Sequence, residues 1–334
     1  MIRPGKLKES KGLYLLGGLF VLLFAVSLLI GRYPSAGILS PAHLFTEQLA
    51  LRVFLRLRLP RVISASLLGA ALASSGCTFQ MLFRNPLVEP GFLGVSQGAA
   101  FGAAMAILLV PRLPGGVQLS AVFFSLTGLL LSYRVARNIR FGGWVIRMVI
   151  SGLAVSALFT SGVGVLKYLA DPLSQLQEMT FWMLGGLAGT TWSTTVSMLL
   201  LALPALFILY LFRWRLNILS LDDLTSFSMG ADPFRERMLL LVAASVATAG
   251  VTAAAGIVGW VGLLIPHVAR RLFGAEGSVS LPASMLLGAV MVLACDDIAR
   301  TLLSFEIPLG ILTSLLGAGL FLMLLSSGQV RFRR

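Results

Sequence analysis

Apolar runs of about twenty residues recur along the whole chain, separated by short polar or Gly/Pro-rich stretches. A helix of that length crosses a hydrocarbon layer roughly 30 Å thick. The pattern predicts ten spans: Gly12–Ile30, Val62–Phe83, Phe92–Val110, Val117–Ala136, Val145–Leu166, Ser193–Phe212, Met238–Ala255, Ile257–Ala269, Leu281–Cys295 and Leu309–Leu325. The eighth and ninth are short, and the Gly/Ala-rich text from Thr248 to Val261 blurs the boundary between the seventh and the eighth. The expected fold class is an all-α membrane protein, one transmembrane domain over residues 1–334 with a tail at 1–11. An even number of spans puts both termini on one side.

Two connections stand out. Asp171–Trp192 is amphipathic, too short to span and rich in glycine at Gly185, Gly186 and Gly189, which predicts an external or re-entrant helix. Residues 213–237 form a long polar connection with Asp222, Asp223, Asp232 and Glu236 among four arginines, and Ser220 or Asp222 suits the cap of a short helix ending near Gly230.

Composition agrees with the pattern. Of the 334 residues, 57% are hydrophobic and 12% charged, against roughly 25% charged in a soluble domain. The net charge of +13 is scattered over short connections and forms no basic domain, which argues against nucleic acid. The first run follows Arg3, Lys6, Lys8 and Lys11, is too long for a secretory signal and lacks a small-residue cleavage site, so it reads as an uncleaved span.

Lys and Arg concentrate on the side of the N-terminus, which predicts that both termini are cytoplasmic. Against that majority stand Arg32, Arg52, Arg56, Arg58, Arg61, Arg112, Lys167 and Arg300. Four of these crowd into LRVFLRLRLPR, just before the second span. Two readings fit an external basic patch: arginines snorkelling to lipid headgroups, or a docking surface for an acidic partner.

The polar residues exclude several classes. The only lysines are Lys6, Lys8, Lys11 and Lys167, none in a Gly-rich phosphate loop. His43 and His267 form no metal motif, and Cys77 and Cys295 read as buried small hydrophobes without metal or redox spacing. No metal site, resident cofactor or catalytic constellation is expected. The thirteen carboxylates all read as lying in tails, connections or span ends, with Asp296 and Asp297 nearest the interior. Ion-driven carriers use ionisable groups deep in the bilayer, so the energy for any pumping is expected from another chain. An ion-gradient carrier using backbone carbonyls and a non-transporting scaffold remain the alternatives.

Spacings such as Gly98 to Gly102 predict close helix packing. Gly and Pro in NPLVEPGFLG (85–94) and GIVGWVGLLIPH (256–267) predict bent or broken helices at the cytoplasmic ends of two spans, where bends could form gates.

The stretch RLPRVISASLLGAALASSGCTFQMLFRNPLVEPGFLGVSQGAAFGA (58–103) resembles the signature of a known family. FWMLGGLAGTTW (181–192), GWVGLLIPHVARRLFG (259–274) and DDIARTLLSFEIPLGILTSLLGAGLFLMLL (296–325) extend the likeness over nearly the whole chain after Arg52. The chain is similar to the FecCD- and BtuC-like permeases of iron-siderophore, haem and cobalamin ABC importers.

That resemblance implies a homodimer of ten-span subunits in the cytoplasmic (inner) membrane. Two ABC ATPase subunits would lie beneath it, consuming ATP and Mg, and a substrate-binding protein would dock outside. It implies external docking by Arg58, Arg61 and Arg300, with Arg56 an additional cation. It implies ATPase coupling through 216–232, with Leu219, Ser220, Leu221, Asp222, Asp223, Ser226 and Gly230. A cytoplasmic gate is implied at Asn85 and Leu87 and, with a departure from the usual text, at Trp144 and Val145. Trp144 also fits an interfacial tryptophan of the headgroup belt. His267 sits in a Pro-His step that the family has whatever its cargo, and Met179 and Met183 read as packing residues. The implied cargo is an iron chelate, haem or cobalamin, with metal oxyanions also carried by some relatives.

Overall fold

The computed structural model describes residues 4–33, 37–40, 43–110 and 113–326. Arg3, Arg112, Arg331, Arg333 and Arg334, which enter the charge distribution, lie outside the described residues.

The chain is a bundle of long helices with a few short ones at its two faces. In order these are α1 (Pro4–Leu29), α2 (His43–Thr46), α3 (Gln48–Val53), α4 (Leu59–Leu82), α5 (Val95–Leu109), α6 (Gly116–Asn138), α7 (Trp144–Leu169) and α8 (Gln175–Leu184). They are followed by α9 (Trp192–Leu211), α10 (Arg215–Leu219), α11 (Asp223–Ser228), α12 (Pro233–Ala255), α13 (Val261–Phe273), α14 (Gly277–Thr301) and α15 (Leu309–Ser326). A two-residue antiparallel pair, β1 (Ile30–Gly31) with β2 (Gly37–Ile38), follows α1. Among the described residues, seven helical segments are long and apolar enough to cross a membrane, and α5, α13 and α15 are shorter, so the ten expected segments are present.

α4 is the axis of the bundle, with 83% of its apolar window buried. Its text, rich in Gly, Ala and Ser, suits lipid-embedded packing, where association depends on close backbone approach rather than on expelling water. At the crossing of α4 and α14, a Cβ added to Gly69 would meet the Gly288 carbonyl oxygen at 2.1 Å. Gly98 and Gly102 do the same for α5 on α6, against the carbonyls of Phe124 and Ser120. Buried hydroxyls link helices where apolar contact is thin: Ser75 Oγ donates to the Ala244 carbonyl at 2.8 Å, and Ser64 Oγ lies 2.9 Å from Thr195 Oγ1.

Three boundaries depart from the sequence reading. The second span begins near Gln48 rather than Val62, because helix runs unbroken through Phe54–Arg58 as a π-turn. Arg58 at its end donates to backbone carbonyls, and Arg52 and Arg56 are exposed, so none of them interrupts it. The ninth span runs to Thr301, six residues beyond Cys295, because Asp296, Asp297 and Arg300 pair with one another at helical spacing. The break between the seventh and eighth spans occupies residues 256–260, with Gly256 at φ 69° and Trp260 at φ 69°.

That break is also on the other face from the one expected. α10 and α11 lie at one face with the N-terminal half of α1, where Gly12 approaches Phe273. The break lies at the opposite end of α12, beside α8: Gly186 N donates to the Ala255 carbonyl at 2.7 Å, and Leu309 N to the Gly185 carbonyl at 2.8 Å. The amphipathic segment predicted over 171–192 is α8 with a Gly-rich loop behind it, which wedges between the ends of α12 and α15.

Candidate functional site

The connection from α4 to α5 is re-entrant. At the α10–α11 face, α4 ends at Phe83, whose ring stacks on Trp144 with centroids 5.1 Å apart. Asn85 Oδ1 accepts the Leu87 N–H at 2.9 Å, an Asx-turn that reverses the chain. The chain then climbs back into the bundle. Its carbonyls at Gly91, Leu93 and Val95 accept from the hydroxyls of Ser156, Ser132 and Ser125 at 3.2, 2.9 and 2.8 Å. Ser156 is midway along α7 and Ser125 midway along α6. α5 therefore starts at half depth, and at about 1.5 Å per residue its 15 residues are too short to cross alone.

Glu89 rides on this turn: it lies in a connection, as expected, but the re-entrant path carries that connection to mid-depth. It lines a cavity of about 290 Å³ with Ser96, Gln97, Ser156, Thr248 and Gly262. It also lines a wider one of about 800 Å³, shared with Leu87, Trp260, Leu263 and the first turns of α15. A Cβ on Gly262 would sit 3.8 Å from Glu89 Oε2. The broken ends of α12 and α13 supply the opposite wall through Ile257 and Gly259. Two helix discontinuities, entering from opposite faces, thus meet at mid-depth around polar side chains. Sequence reasoning missed Glu89 because NPLVEPG reads as a surface turn.

The four candidate gate residues do not converge within one chain. Leu87 is exposed and lines the wide cavity, whereas exposed Asn85 forms the turn. Trp144 is pinned between Phe83 and Arg237, whose guanidinium lies 5.5 Å from its ring, and half-buried Val145 packs beside it.

At the α8 face, the three candidate docking arginines are engaged within the chain. Buried Arg58 donates to the carbonyls of Leu28, Leu29 and Tyr33 at 3.2, 2.7 and 2.8 Å. A Cβ at Gly31 would lie 2.5 Å from Arg58 Nη2, so a side chain there would displace the guanidinium. Arg300 donates to the carbonyls of Ile30 and Ser27 at 2.9 and 2.5 Å and pairs with Asp297, which also accepts from Ser27 Oγ. Arg61 holds Asp296 and reaches Glu306 at 2.8 Å. All three line a cavity of about 430 Å³ together with Arg32 and Glu306, and Arg52 and Arg56 are exposed nearby.

The candidate coupling residues divide between scaffold and surface. Leu219 is fully buried, and Ser226 is buried with its Oγ donating to the Ile218 carbonyl at 2.8 Å. Ser220 ends α10, donating through Oγ to the Asn217 carbonyl at 2.7 Å, and exposed Leu221 follows it. Asp222 caps α11, taking the Thr225 N–H at 2.9 Å and its hydroxyl at 2.8 Å. Those bonds hold the Asp222 carboxyl below the usual carboxylate range. Asp223 pairs with Arg237 at 2.5 Å, and Gly230 closes the turn at φ 78°. The outward face belongs to residues the sequence reading did not single out, Leu224 and Phe227, 83% and 72% exposed. Their i,i+3 spacing was the available signal.

A sequence model of the FecCD transport family matches residues 19–327. An iron chelatin transport system permease protein of Helicobacter pylori is 41% identical over 274 residues, 82% of each chain. The molybdate import system permease protein MolB of Haemophilus influenzae is 36% identical over 311 residues, 91% of each. Among solved structures, an inward-facing metal-chelate type ABC transporter superposes with a TM-score of 0.87 at 34% identity, over 95% of this chain and 99% of that one.

Proposed function

The chain belongs to the FecCD transport family, and from that premise we propose how it works as the permease subunit of an ABC importer. Two copies form the path in the cytoplasmic membrane, with the α10–α11 face and both termini in the cytoplasm. Two ATPase subunits, which hydrolyse ATP with Mg, dock on α11, and a substrate-binding protein docks on the α8 face. The cargo is a metal compound of the class its relatives carry: an iron chelate, haem, cobalamin or an oxyanion such as molybdate.

The observation that carries this reading is the meeting of two broken segments around Glu89 at mid-depth. Broken helices lend polar backbone to a path that intact helices would seal. A short helix, α11, stands on the same face as the re-entrant turn and presents apolar Leu224 and Phe227 outward, which suits insertion into a groove of a partner.

An ion-gradient carrier is favoured by one observation, the depth of Glu89. Uptake into vesicles separates the two. With the ATPase and binding protein reconstituted, uptake is expected only with ATP on the α11 side. Uptake driven by a proton or sodium gradient without ATP would overturn the importer reading.

A further inference from the structure

Three consecutive residues at the end of α4 touch three different parts of the α10–α11 face. Phe83 stacks on Trp144 at the start of α7, Arg84 donates through Nη2 to the Leu221 carbonyl between α10 and α11, and Asn85 makes the Asx-turn that sets Leu87. The middle one is out of place by backbone conformation. Arg84 N donates to the Met81 carbonyl at 3.3 Å and Asn85 N to the Gln80 carbonyl at 3.1 Å, which closes the helix with Arg84 at φ 51°. That left-handed position usually belongs to glycine, and among the described residues Trp260 is the one other non-glycine at positive φ. A strained backbone of this kind points to a use for the side chain it carries. The use on view is the bond to Leu221.

The Leu221 carbonyl accepts from a second arginine. Arg237 of α12 reaches it through Nη2 at 3.2 Å, donates to the Leu219 carbonyl at 2.9 Å and pairs with Asp223 at 2.5 Å, with its guanidinium 5.5 Å from the Trp144 ring. One backbone oxygen of the candidate coupling segment is thus joined by Arg84 to the Asn85–Leu87 turn and by Arg237 to Trp144, which are the two candidate gate segments. The two links differ in kind. Arg237 is buried and holds the connection at Leu219, Leu221 and Asp223, so it fixes that connection to α12. Arg84 is exposed and has one hydrogen-bond acceptor among the described residues, so water can replace that acceptor when the segments part. Beside the junction a cavity of about 380 Å³ between Trp144, Arg237 and Asp223 leaves room for such a shift.

We propose that the Leu221 carbonyl is the point at which movement of α11 reaches the re-entrant turn. Arg84 is the positioning residue that ties the turn to the α11 segment in one state of the cycle and releases it in the other, and Arg237 is the fixed pivot. This relay rests on the importer reading above, since it takes α11 as the seat of the ATPase and Asn85–Leu87 as the gate. A hydrogen bond from a charged donor suits the task, being directional and stronger than one between neutral groups. At an exposed site its loss strands neither partner in the core, so the bond can be made and broken repeatedly.

The test follows Leu87→Cys in the full-length protein assembled with its ATPase in nanodiscs. The rate at which a water-soluble maleimide modifies that position is read without nucleotide and with ATP plus vanadate, the native Cys77 and Cys295 being buried. The rate is expected to change when nucleotide is trapped. Adding Arg84→Gly should remove the nucleotide dependence while the unfolding temperature holds or rises, because glycine suits the left-handed position. Arg84→Lys keeps a cationic donor and should restore most of the dependence, and Arg134→Gln, at an exposed position on α6, should leave it intact. A nucleotide dependence that survives Arg84→Gly, or that Arg84→Lys fails to restore, would overturn the relay and leave the importer reading standing. Loss of the ATPase from the Arg84→Gly complex would overturn it as well, by making Arg84 part of the docking surface. No response to nucleotide with Arg84 intact would count against the importer reading itself and take the relay with it.

Discussion

Arg61 on α4 holds Asp296 on α14 with two parallel donors, Nε at 3.0 Å from Oδ2 and Nη2 at 2.9 Å from Oδ1. Both side chains are nearly closed to water, 13% and 2% exposed. A bidentate pair of this kind ties the two helices that pack most closely at Gly69 and Gly288. Arg61→Ala leaves the buried Asp296 carboxylate only the longer contact to Arg300 at 3.7 Å, a change that destabilises by up to about 3–5 kcal/mol. The Arg61→Gln, Asp296→Asn double variant is expected to lose less than the sum of its single changes. Thermal unfolding in detergent measures both, and additive losses would mean that the pair is not coupled.

The same network alters what charge reversal at the α8 face should do. Arg58 and Arg300 satisfy backbone carbonyls at the ends of α1 and β1, so Arg58→Glu is expected to reduce folded yield before any docking effect can be read. Exposed Arg56 is the cleaner probe. Arg56→Glu should slow association with the binding protein and flatten its salt dependence while leaving the dissociation rate nearly unchanged. A changed dissociation rate with the same association rate would place Arg56 in a tight contact instead of a steering field.

Much of the fold was legible because a lipid solvent writes itself into sequence as apolar runs of fixed length, and the α4 text with its Gly and Ala spacing announced close packing. What stayed hidden depended on partners far away in the chain. Asp296 and Arg300 looked like a connection because charge usually ends a span, yet they neutralise each other within α14. Glu89 looked superficial because two prolines and a glycine surround it, and its depth is set by Ser125, Ser132 and Ser156 on two other helices. Ser226 looked available for coupling, but the turn between α10 and α11 folds it inward.

On α11 the exposed pair carries the prediction. Leu224→Ala and Phe227→Ala should each weaken co-purification of the ATPase with little change in unfolding temperature, since neither side chain contributes to the core. Ser226→Leu should do the reverse, disturbing the fold of the connection first. An ATPase that co-purifies fully with the Leu224→Ala, Phe227→Ala double variant would rule out α11 as its seat.

Asp222 gives that segment a pH dependence. Its carboxyl is held low by the Thr225 N–H and hydroxyl, so the cap contributes stability above the ordinary aspartate range and loses it as pH falls through the lowered value. Between pH 7 and about 5 the cap is fully formed, and hydrogen exchange of the α11 amides, corrected for intrinsic rates, should show constant protection. Asp222→Asn can still accept the N–H, so it is expected to remove the acid sensitivity and keep most of the protection. Protection that already falls between pH 7 and 5 would contradict a depressed carboxyl.

Glu89 supplies the sharpest test, because Gln at that position preserves volume and removes the charge. Two unit charges ~8 Å apart at an effective dielectric of ~20 interact by ~2 kcal/mol, a factor of about thirty in rate if cargo feels it at the barrier. For a passive wall of an ATP-driven path, Glu89→Gln should speed an anionic cargo, slow a cationic one and leave the ATP requirement intact. For an ion-coupled carrier the same substitution would abolish uptake whatever the cargo's charge, since the group that binds the driving ion would be gone. Measuring uptake of one anionic and one cationic metal complex, with and without ATP, therefore separates a carboxylate that tunes passage from one that drives it.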